Sequence, residues 1–271
     1  MIDEIKKIFV FVIRDFRILL SYKLAFFLQF INTIFNLFYL VLFGSMFANT
    51  SPSVLEPYNL TFIEYILIGS IGWGFLWSIM SSTSSSLSSE MMLGTLESIL
   101  ITRTKILTMM ISYTIFGCIF GMISISILIA VGYFIFDVMV LGSATVYTLI
   151  IFILSAFMMM AFGLIFGGLT IWLKNIGQTI PLLQNIFMFF SAVYFPITVL
   201  PVFLRPVAKF IPFYYIIEGL RKSLDSSTPQ SEIIYFILVI TAITICLMVV
   251  GNYILKKCLI KAKKDGSLMF Y

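Results

Sequence analysis

The sequence contains no histidine and very few charged residues. Because histidine is missing, Ser-His hydrolysis, His-ligated metal sites and most acid–base schemes are excluded. Only 11% of the 271 residues are charged, against roughly 25% in a typical soluble domain. Together with a mean hydropathy of +1.11, this deficit indicates an integral membrane protein rather than a soluble one.

Two further signals are missing. Three cysteines lie in or beside apolar segments without metal-ligand spacing, so they predict neither a disulfide framework nor a metal site. No G-x-x-x-x-G-K-[ST] segment occurs, so the sequence has no phosphate-binding loop of that kind. Any ATP chemistry would therefore come from another chain. The net charge of +5 does not indicate a nucleic-acid partner, because the basic residues cluster at the ends of apolar segments.

Long apolar segments dominate what is present. A membrane-spanning helix needs about 20 mostly apolar residues, and six segments are long enough. They lie at 24–47, 60–81, 106–136, 144–173, 177–200 and 233–255. The sequence thus predicts an all-α, polytopic membrane protein with six transmembrane helices, forming a single transmembrane domain over 1–271.

The basic residues predict the orientation of these segments, because Lys and Arg are enriched on the cytoplasmic side. The predicted loops near 48–59 and 137–143 contain none. Most of the others fall on one side, which places both termini in the cytoplasm of a plasma-membrane protein. These residues are Lys6, Lys7, Arg14, Arg17, Lys23, Arg103, Lys105, Lys174, Lys256, Lys257, Lys261, Lys263 and Lys264, the last five in a basic tail over 256–271.

Two segments outside the spans have helical periodicity. Residues 2–22 carry apolar side chains on one face and basic ones on the other, which predicts an amphipathic helix at the cytoplasmic interface. The alternative is that they continue the first span. Residues 90–102 follow a serine-rich stretch typical of a flexible linker and predict a short cytoplasmic helix for a partner protein. The alternative there is a helix that only packs on lipid headgroups.

Residues 191–224 are apolar but contain four prolines and four basic residues. Proline removes a backbone donor and clashes with the preceding turn, so this stretch cannot be one straight spanning helix. Irregular backbone at membrane depth occurs only where protein buries it or where it lines a cavity. The pattern predicts a re-entrant or interfacial hairpin, with Glu218 close enough along a helix to pair with Arg221.

Two sequence strings resemble signatures of the type-2 ABC exporter permeases. The segment EMMLGTLE at 90–97 is similar to the family's E-x-x-x-G-T-L-E, and FPI-x-x-LP…IP-x-x-Y-x-IEGLR at 195–221 is similar to its second signature. The likeness covers nearly the whole chain. One conservative departure is Ala192, where the family usually has glycine after the serine.

The resemblance implies a permease subunit that works with a separate cytoplasmic ABC ATPase, which would bind the ATP and Mg²⁺. It also implies a second permease subunit, with a homodimer favoured over a heterodimer, in contact with membrane lipid. The implied coupling residues are Glu90, Gly94, Thr95, Leu96 and Glu97. The implied extracellular gate, formed by a hairpin at 201–224 and the residues before it, contains Phe195, Pro196, Pro201, Pro212, Tyr215, Glu218, Gly219 and Arg221.

Aromatic residues suggest a route for an amphipathic substrate. The resemblance implies a hydrophobic or lipid-linked substrate of a multidrug/antibiotic or polysaccharide/lipid export branch, and the proline-rich gate and short loops favour the multidrug branch. The candidate pathway residues are Trp77, Phe187, Phe190 and Tyr194; packing against lipid is the alternative for each. A secondary transporter or channel would need paired charges near the midplane, which the spans do not show convincingly. A polytopic membrane enzyme would need acid–base groups that this sequence lacks. The sequence therefore favours the export subunit.

Overall fold

The computed structural model describes residues 2–48, 55, 58, 60–102, 104–138, 146–173, 179–225 and 227–264, which form helices joined by turns, with no strand among them. The predicted all-α class is therefore confirmed over these residues. The α-helices, in chain order, are α1 (Ile2–Ser21), α2 (Lys23–Ala48), α3 (Phe62–Met92), α4 (Thr95–Ile101), α5 (Ile106–Phe136), α6 (Val146–Leu173), α7 (Thr179–Phe190), α8 (Arg205–Phe210), α9 (Pro212–Leu224) and α10 (Gln230–Lys264).

Several of these helices can cross a membrane. Within the described ranges, α3, α5, α6 and α10 are individually long and apolar enough, and α1 with α2 makes a fifth candidate if the bent pair counts as one span. The two helices meet at 86°. The multi-pass character is thus confirmed, whereas the count of six spans is not.

The predicted number of spans differs from the structure mainly at the predicted fifth span, 177–200. Its helix, α7, has only 12 residues and a length of roughly 18 Å, which is short of the ~30 Å hydrocarbon core. Turns follow at residues 191–196, and a 3₁₀ turn spans Ile197–Val199. Two features account for the early end of the helix: Ala192 has a φ of +56°, and Pro196 cannot continue a helical ladder.

The predicted second span, 60–81, is longer than expected because the serine-rich segment is helical. Its hydroxyls bond within the helix itself: Ser82 donates to the carbonyl of Ser78 at 2.7 Å, and Ser89 to that of Ser85 at 2.9 Å. Such back-bonding satisfies a serine hydroxyl without ending a helix. The segment is therefore not a flexible linker, and the predicted helix 90–102 is divided by a turn at Leu93–Gly94.

The other predicted boundaries differ less. Helix α5 has the bounds predicted for the third span, and α10 continues nine residues into the predicted tail, ending at Lys264. The predicted hairpin at 201–224 is two helices, α8 and α9, separated at Ile211. Residues 144–145, 177–178 and 265–271 of the predicted spans and tail lie outside the described residues, as do Arg103 and Lys174.

The core of the bundle is built by α3, α5, α6 and α10, with α9 packed against three of them. Helices α3 and α6 approach closely because α6 presents glycines to α3: a Cβ at Gly163 would lie 2.4 Å from the Thr83 hydroxyl, and one at Gly167 would lie 2.9 Å from Leu87. Small residues allow this contact between membrane helices. Helix α3 thus forms a central column whose two ends carry the candidate sites.

Candidate functional site

The two signature segments lie at opposite ends of α3. Glu90 is in its last turns, and Tyr65 is in its first turn. The 25 residues between them correspond to roughly 38 Å of helix. We refer to residues 90–101 with their neighbours as the α4 end, and to residues 191–224 as the hairpin end.

At the α4 end, Glu90 is buried and collects donors from three other elements. The Arg14 guanidinium lies 2.6 Å from one carboxylate oxygen, and the Tyr113 hydroxyl donates to the same oxygen at 3.3 Å. The Thr95 hydroxyl donates to the other carboxylate oxygen and, at 3.2 Å, to the main-chain carbonyl of Glu90. Glu90 therefore ties α1, α3, α4 and α5 together.

A second contact fastens α1 to α5 on the same side. The Thr108 hydroxyl donates to the Glu4 carboxylate at 2.5 Å. Arg14 also binds its neighbour Asp15, with an oxygen–nitrogen distance of 2.7 Å. Helix α1 is thus held by polar contacts at both of its halves, and its movement relative to α5 would break them.

The turn at Leu93–Gly94 separates buried from exposed apolar residues. Gly94 has a φ of +68°, a conformation that glycine adopts without steric cost, and a Cβ there would meet nothing within 4 Å. Leu96 is only 3% exposed and belongs to a core with Leu87 and Met109. Met92, Leu93 and Ile101, by contrast, are 71–76% exposed. Glu97 lies within α4, and its side chain is outside the described part of the structure.

At the hairpin end, Arg221 is almost completely buried, at 1% exposure. Its guanidinium donates to the carbonyls of Val193, at 2.8 Å, and Tyr65, at 3.3 Å, and lies 3.6 Å from the centre of the Tyr65 ring. The expected pair with Glu218 forms at 3.8 Å, within ion-pair range but beyond hydrogen-bond distance. Arg221 thereby joins α9 to α3 and to the turn after α7.

The turn itself is held closely. The Tyr65 hydroxyl donates to the carbonyl of Ala192 at 3.2 Å. A Cβ added at Gly69 would lie 2.0 Å from the carbonyl oxygen of Val193, so only glycine fits there. Ala192 occupies the left-handed region at φ +56°, which costs an alanine roughly 1–2 kcal/mol. The departure from the family's glycine at this position is therefore less conservative than the sequence suggests.

The other predicted gate residues are distributed over the same segment. Pro196 and Gly219 are buried, Pro201 is exposed, and Phe195, Pro212 and Tyr215 are half-buried. Pro212 occupies the first turn of α9, where its missing N–H has no helical partner to lose. The structure thus brings most of these residues into a packed cap over the end of the bundle.

The loop after α9 is fixed locally by Asp225. Its carboxylate accepts hydrogen bonds from the amide of Ser227 at 2.9 Å and from the hydroxyl of Thr228 at 2.9 Å. Burial alone would raise the pKa of the Asp225 carboxyl, but these hydrogen bonds outweigh it and hold the pKa below the usual range. Asp225 therefore stays ionised and holds Ser227 and Thr228 in place before α10.

A cavity of about 280 Å³ lies between α2, α3, α5 and α7. Of the four candidate pathway residues, Trp77 and Tyr194 line it and Phe187 and Phe190 do not. Phe187 stacks instead on Phe213, with ring centres 4.8 Å apart. Among the described residues, no group of three or more His, Cys, Asp or Glu side chains could hold a metal ion.

The family profile described as "ABC-2 type transporter" matches residues 7–224. The chain belongs to the ABC-2 type transporter family. The match begins inside α1 and continues to the end of α9, so it contains residues 90–101 and 191–224 of the two ends. In a sequence comparison, no curated protein matches the chain. Membership makes this chain an ABC transporter permease, a membrane component that is not itself catalytic.

Sequence reasoning missed several partners in this permease. Arg14 and Tyr113 bind Glu90 from 76 and 23 residues away, and Tyr65 meets Arg221 across 156 residues. No local pattern in the sequence indicates these contacts, because the partners meet only when distant helices pack. The amide side chains of α2 that face the cavity also went unnoticed, because a hydropathy profile averages them into an apolar segment.

Proposed function

We propose that this permease is the membrane-spanning half of an ABC exporter, driven by a separate cytoplasmic ATPase that contacts the α4 end. Two copies of the chain, with a homodimer favoured, would form the pathway between them. Their substrate is hydrophobic or lipid-linked. ATP and Mg²⁺ are bound by the ATPase partner, and both termini face the cytoplasm of the plasma membrane.

The observation that carries this proposal is the exposed apolar surface around α4. Met92, Leu93 and Ile101 are 71–76% exposed. They lie at the end of the bundle that we propose to be cytoplasmic, because basic residues of α1 and α10 favour that side. A group of apolar side chains exposed to water around a short, anchored helix is typical of a protein contact. An ATPase seated on this surface would bury them.

The polar network at Glu90 gives that contact a route into the bundle. A push on α4 acts through Thr95 on Glu90, and from there on Arg14 of α1 and Tyr113 of α5. Leu96 adds an apolar anchor in the core beneath α4. Because the buried Glu90 carboxylate is shared by all of these contacts, α4 and the ends of α1, α3 and α5 would move as one body.

The hairpin end supports the role of an extracellular gate. It closes the other end of α3 with buried turns and the Arg221 contacts, so a substrate leaving there has to displace residues 191–224 from α3. The direction of transport, outward, rests on the family resemblance of this hairpin. Opening would require the Arg221 bonds to Val193 and Tyr65 to break or shift.

The test is co-purification of the tagged chain, in mild detergent, with P-loop ATPases from its own membrane, identified by mass spectrometry. The double variant Leu93→Ser with Ile101→Ser should lose at least 90% of the bound ATPase at unchanged expression. Phe203→Ser is the matched control: Phe203 is 75% exposed, as Leu93 is, but lies at the hairpin end.

Equal ATPase recovery from both variants would refute the contact at α4. Recovery of no P-loop protein with the unaltered chain, even after co-expression with candidate ATPases, would refute the exporter assignment as a whole and favour a self-sufficient channel or carrier.

A further inference from the structure

The cavity between α2, α3, α5 and α7 is lined by amide side chains. Gln29, Asn32 and Asn36 come from one face of α2, at the i, i+3 and i+7 spacing that places residues on one side of a helix, and Gln184 comes from α7. The three α2 amides are exposed in the isolated chain, and Gln184 is half-buried. They form a polar stripe within otherwise apolar helices.

These four amides have no hydrogen-bond partner within the described residues. Two of the nearby hydroxyls donate elsewhere: Ser78 donates to the carbonyls of Phe75 and Gly117, at 2.8 and 3.0 Å, and Ser81 to that of Ser78 at 3.2 Å. The Ser70 hydroxyl, which also lines the cavity, is buried without a partner in the described part of the chain. An unpaired amide exposed to lipid chains is costly, because nothing there replaces its bonds to water. The stripe therefore faces water or a polar solute, and not the hydrocarbon of the bilayer.

The same cavity has no ionisable lining. Among the described residues that line it, there is no Asp, Glu, Lys or Arg. A charged group that moves from water into a cleft between membrane helices loses part of its hydration, and here it would gain no opposite charge in return. A neutral solute avoids this cost. Amides both donate and accept hydrogen bonds, so they suit a solute that does both, as hydroxyl and amide groups do.

Aromatic rings complete the lining. Trp73 is buried and packs on Phe213, with ring centres 5.7 Å apart, whereas Trp77 and Tyr194 are half-buried and present ring surface to the cavity. Flat apolar faces beside hydrogen-bonding groups are the composition of sites for molecules with both kinds of surface.

We infer that the substrate is an uncharged amphiphile whose polar part carries hydroxyl or amide groups. It is recognised by Gln29, Asn32, Asn36 and Gln184, with Trp77 and Tyr194 against its apolar or ring portion. This inference rests on the proposed function, because it takes the cavity to be part of the transport pathway. It excludes organic cations and anionic lipids as the principal substrates.

Binding to the full chain in phosphatidylcholine nanodiscs tests the inference. In a Trp172→Phe background, the remaining tryptophans, Trp73 and Trp77, both line the cavity, so their fluorescence reports its occupancy. The probes are octyl glucoside, octyl sulfate and octyltrimethylammonium, which share one chain length and differ in the head group. The glucoside should saturate the signal at a concentration at least tenfold lower than either charged probe.

Substitutions then test whether the amide side chains bind the glucoside. Asn32→Leu with Asn36→Leu should weaken glucoside binding at least tenfold, whereas Asn185→Leu, an exposed amide of α7 outside the lining, should leave it within twofold. Asn36→Asp keeps the size of the side chain and should shift the preference towards octyltrimethylammonium. This second variant keeps the test decisive if the leucine variant does not fold.

Three outcomes would overturn the inference. A charged probe could bind as tightly as the glucoside, or the folded leucine variant could bind the glucoside normally. The leucine variant could also separate dimers into monomers with binding unchanged, which would make the amides a contact between copies. No ATPase is present in the nanodisc, so none of these results would contradict the proposed ATPase contact at α4. In the same way, a failure of the ATPase contact would not contradict the binding results in the nanodisc.

Discussion

The two ends of α3 use similar residue types in different ways. At the hairpin end, an arginine, a glutamate and a tyrosine close the protein on itself: Arg221 is 1% exposed, and its neighbours leave no space for a Cβ at Gly69. At the α4 end, an arginine, a glutamate and a tyrosine hold up a turn whose glycine has open space around it and whose leucine, Leu93, is exposed.

This difference indicates how each end should respond to substitution. The closed part of the hairpin end, around Arg221, resists substitution because its contacts lie inside the chain, and breaking one leaves a buried polar group unpaired. An end with exposed apolar residues on a fixed base tolerates substitution in the isolated chain and loses function only when its partner is present. Substitutions at the hairpin end should therefore lower stability, and substitutions of exposed residues at the α4 end should lower partner binding.

The largest expected effect is at Arg221. Arg221→Met removes two hydrogen bonds to carbonyls and leaves Glu218 buried without its counter-charge. We expect a loss of about 3–5 kcal/mol in the free energy of unfolding, seen as a lower melting temperature of the detergent-solubilised protein. Lys209→Met, in the same hairpin but exposed and without an ion pair among the described residues, should cost less than about 0.5 kcal/mol. Equal melting temperatures for the two variants would contradict the closed character of this end.

A pair of glycine substitutions sharpens the comparison. Gly69→Ala places a Cβ 2.0 Å from the Val193 carbonyl oxygen and should cost about 3 kcal/mol through overpacking. Gly94→Ala meets no atom within 4 Å and pays only for its positive φ, about 1–2 kcal/mol. Thermal unfolding followed by tryptophan fluorescence measures both. The contrast fails if Gly94→Ala is the more costly of the two.

The smallest of the three main losses in stability is expected from a pair of leucines within the α4 end. Leu96→Ala empties a buried site and should cost about 2 kcal/mol, whereas Leu93→Ala removes an exposed side chain and should cost less than about 0.5 kcal/mol. The order reverses in the amount of co-purified ATPase per folded permease, which Leu93→Ala should lower more. If Leu93→Ala binds the ATPase normally, the exposed leucine is not part of the contact.

Hydropathy predicts the long helices of this protein well, because burial in lipid requires an unbroken apolar run. The predicted 106–136 has the bounds of α5. It predicts the serine-rich end of α3 poorly, because serine is read as a linker residue although Ser82 and Ser89 bond within the helix. It also extends α7 too far, because apolar residues continue past the turn at Ala192.

The signature segments locate the two ends of α3 but not their partners. Nothing local in the sequence relates Arg14 to Glu90 or Tyr65 to Arg221, since these pairs meet only when distant helices pack. The amide stripe on α2 is visible as Gln29, Asn32 and Asn36 at helical spacing, yet its meaning depends on α3 and α7, which form a cavity beside it. Only the three-dimensional packing of the helices shows which of these residues contact one another.

The contact at α4 can be tested most directly by photocrosslinking. A benzophenone amino acid is placed at position 93 or at position 203 of the full chain in native membranes, and adducts are identified by mass spectrometry. The account predicts an adduct with a P-loop ATPase from position 93 and none from position 203. An ATPase adduct from position 203, or from neither position although the ATPase co-purifies, would contradict it.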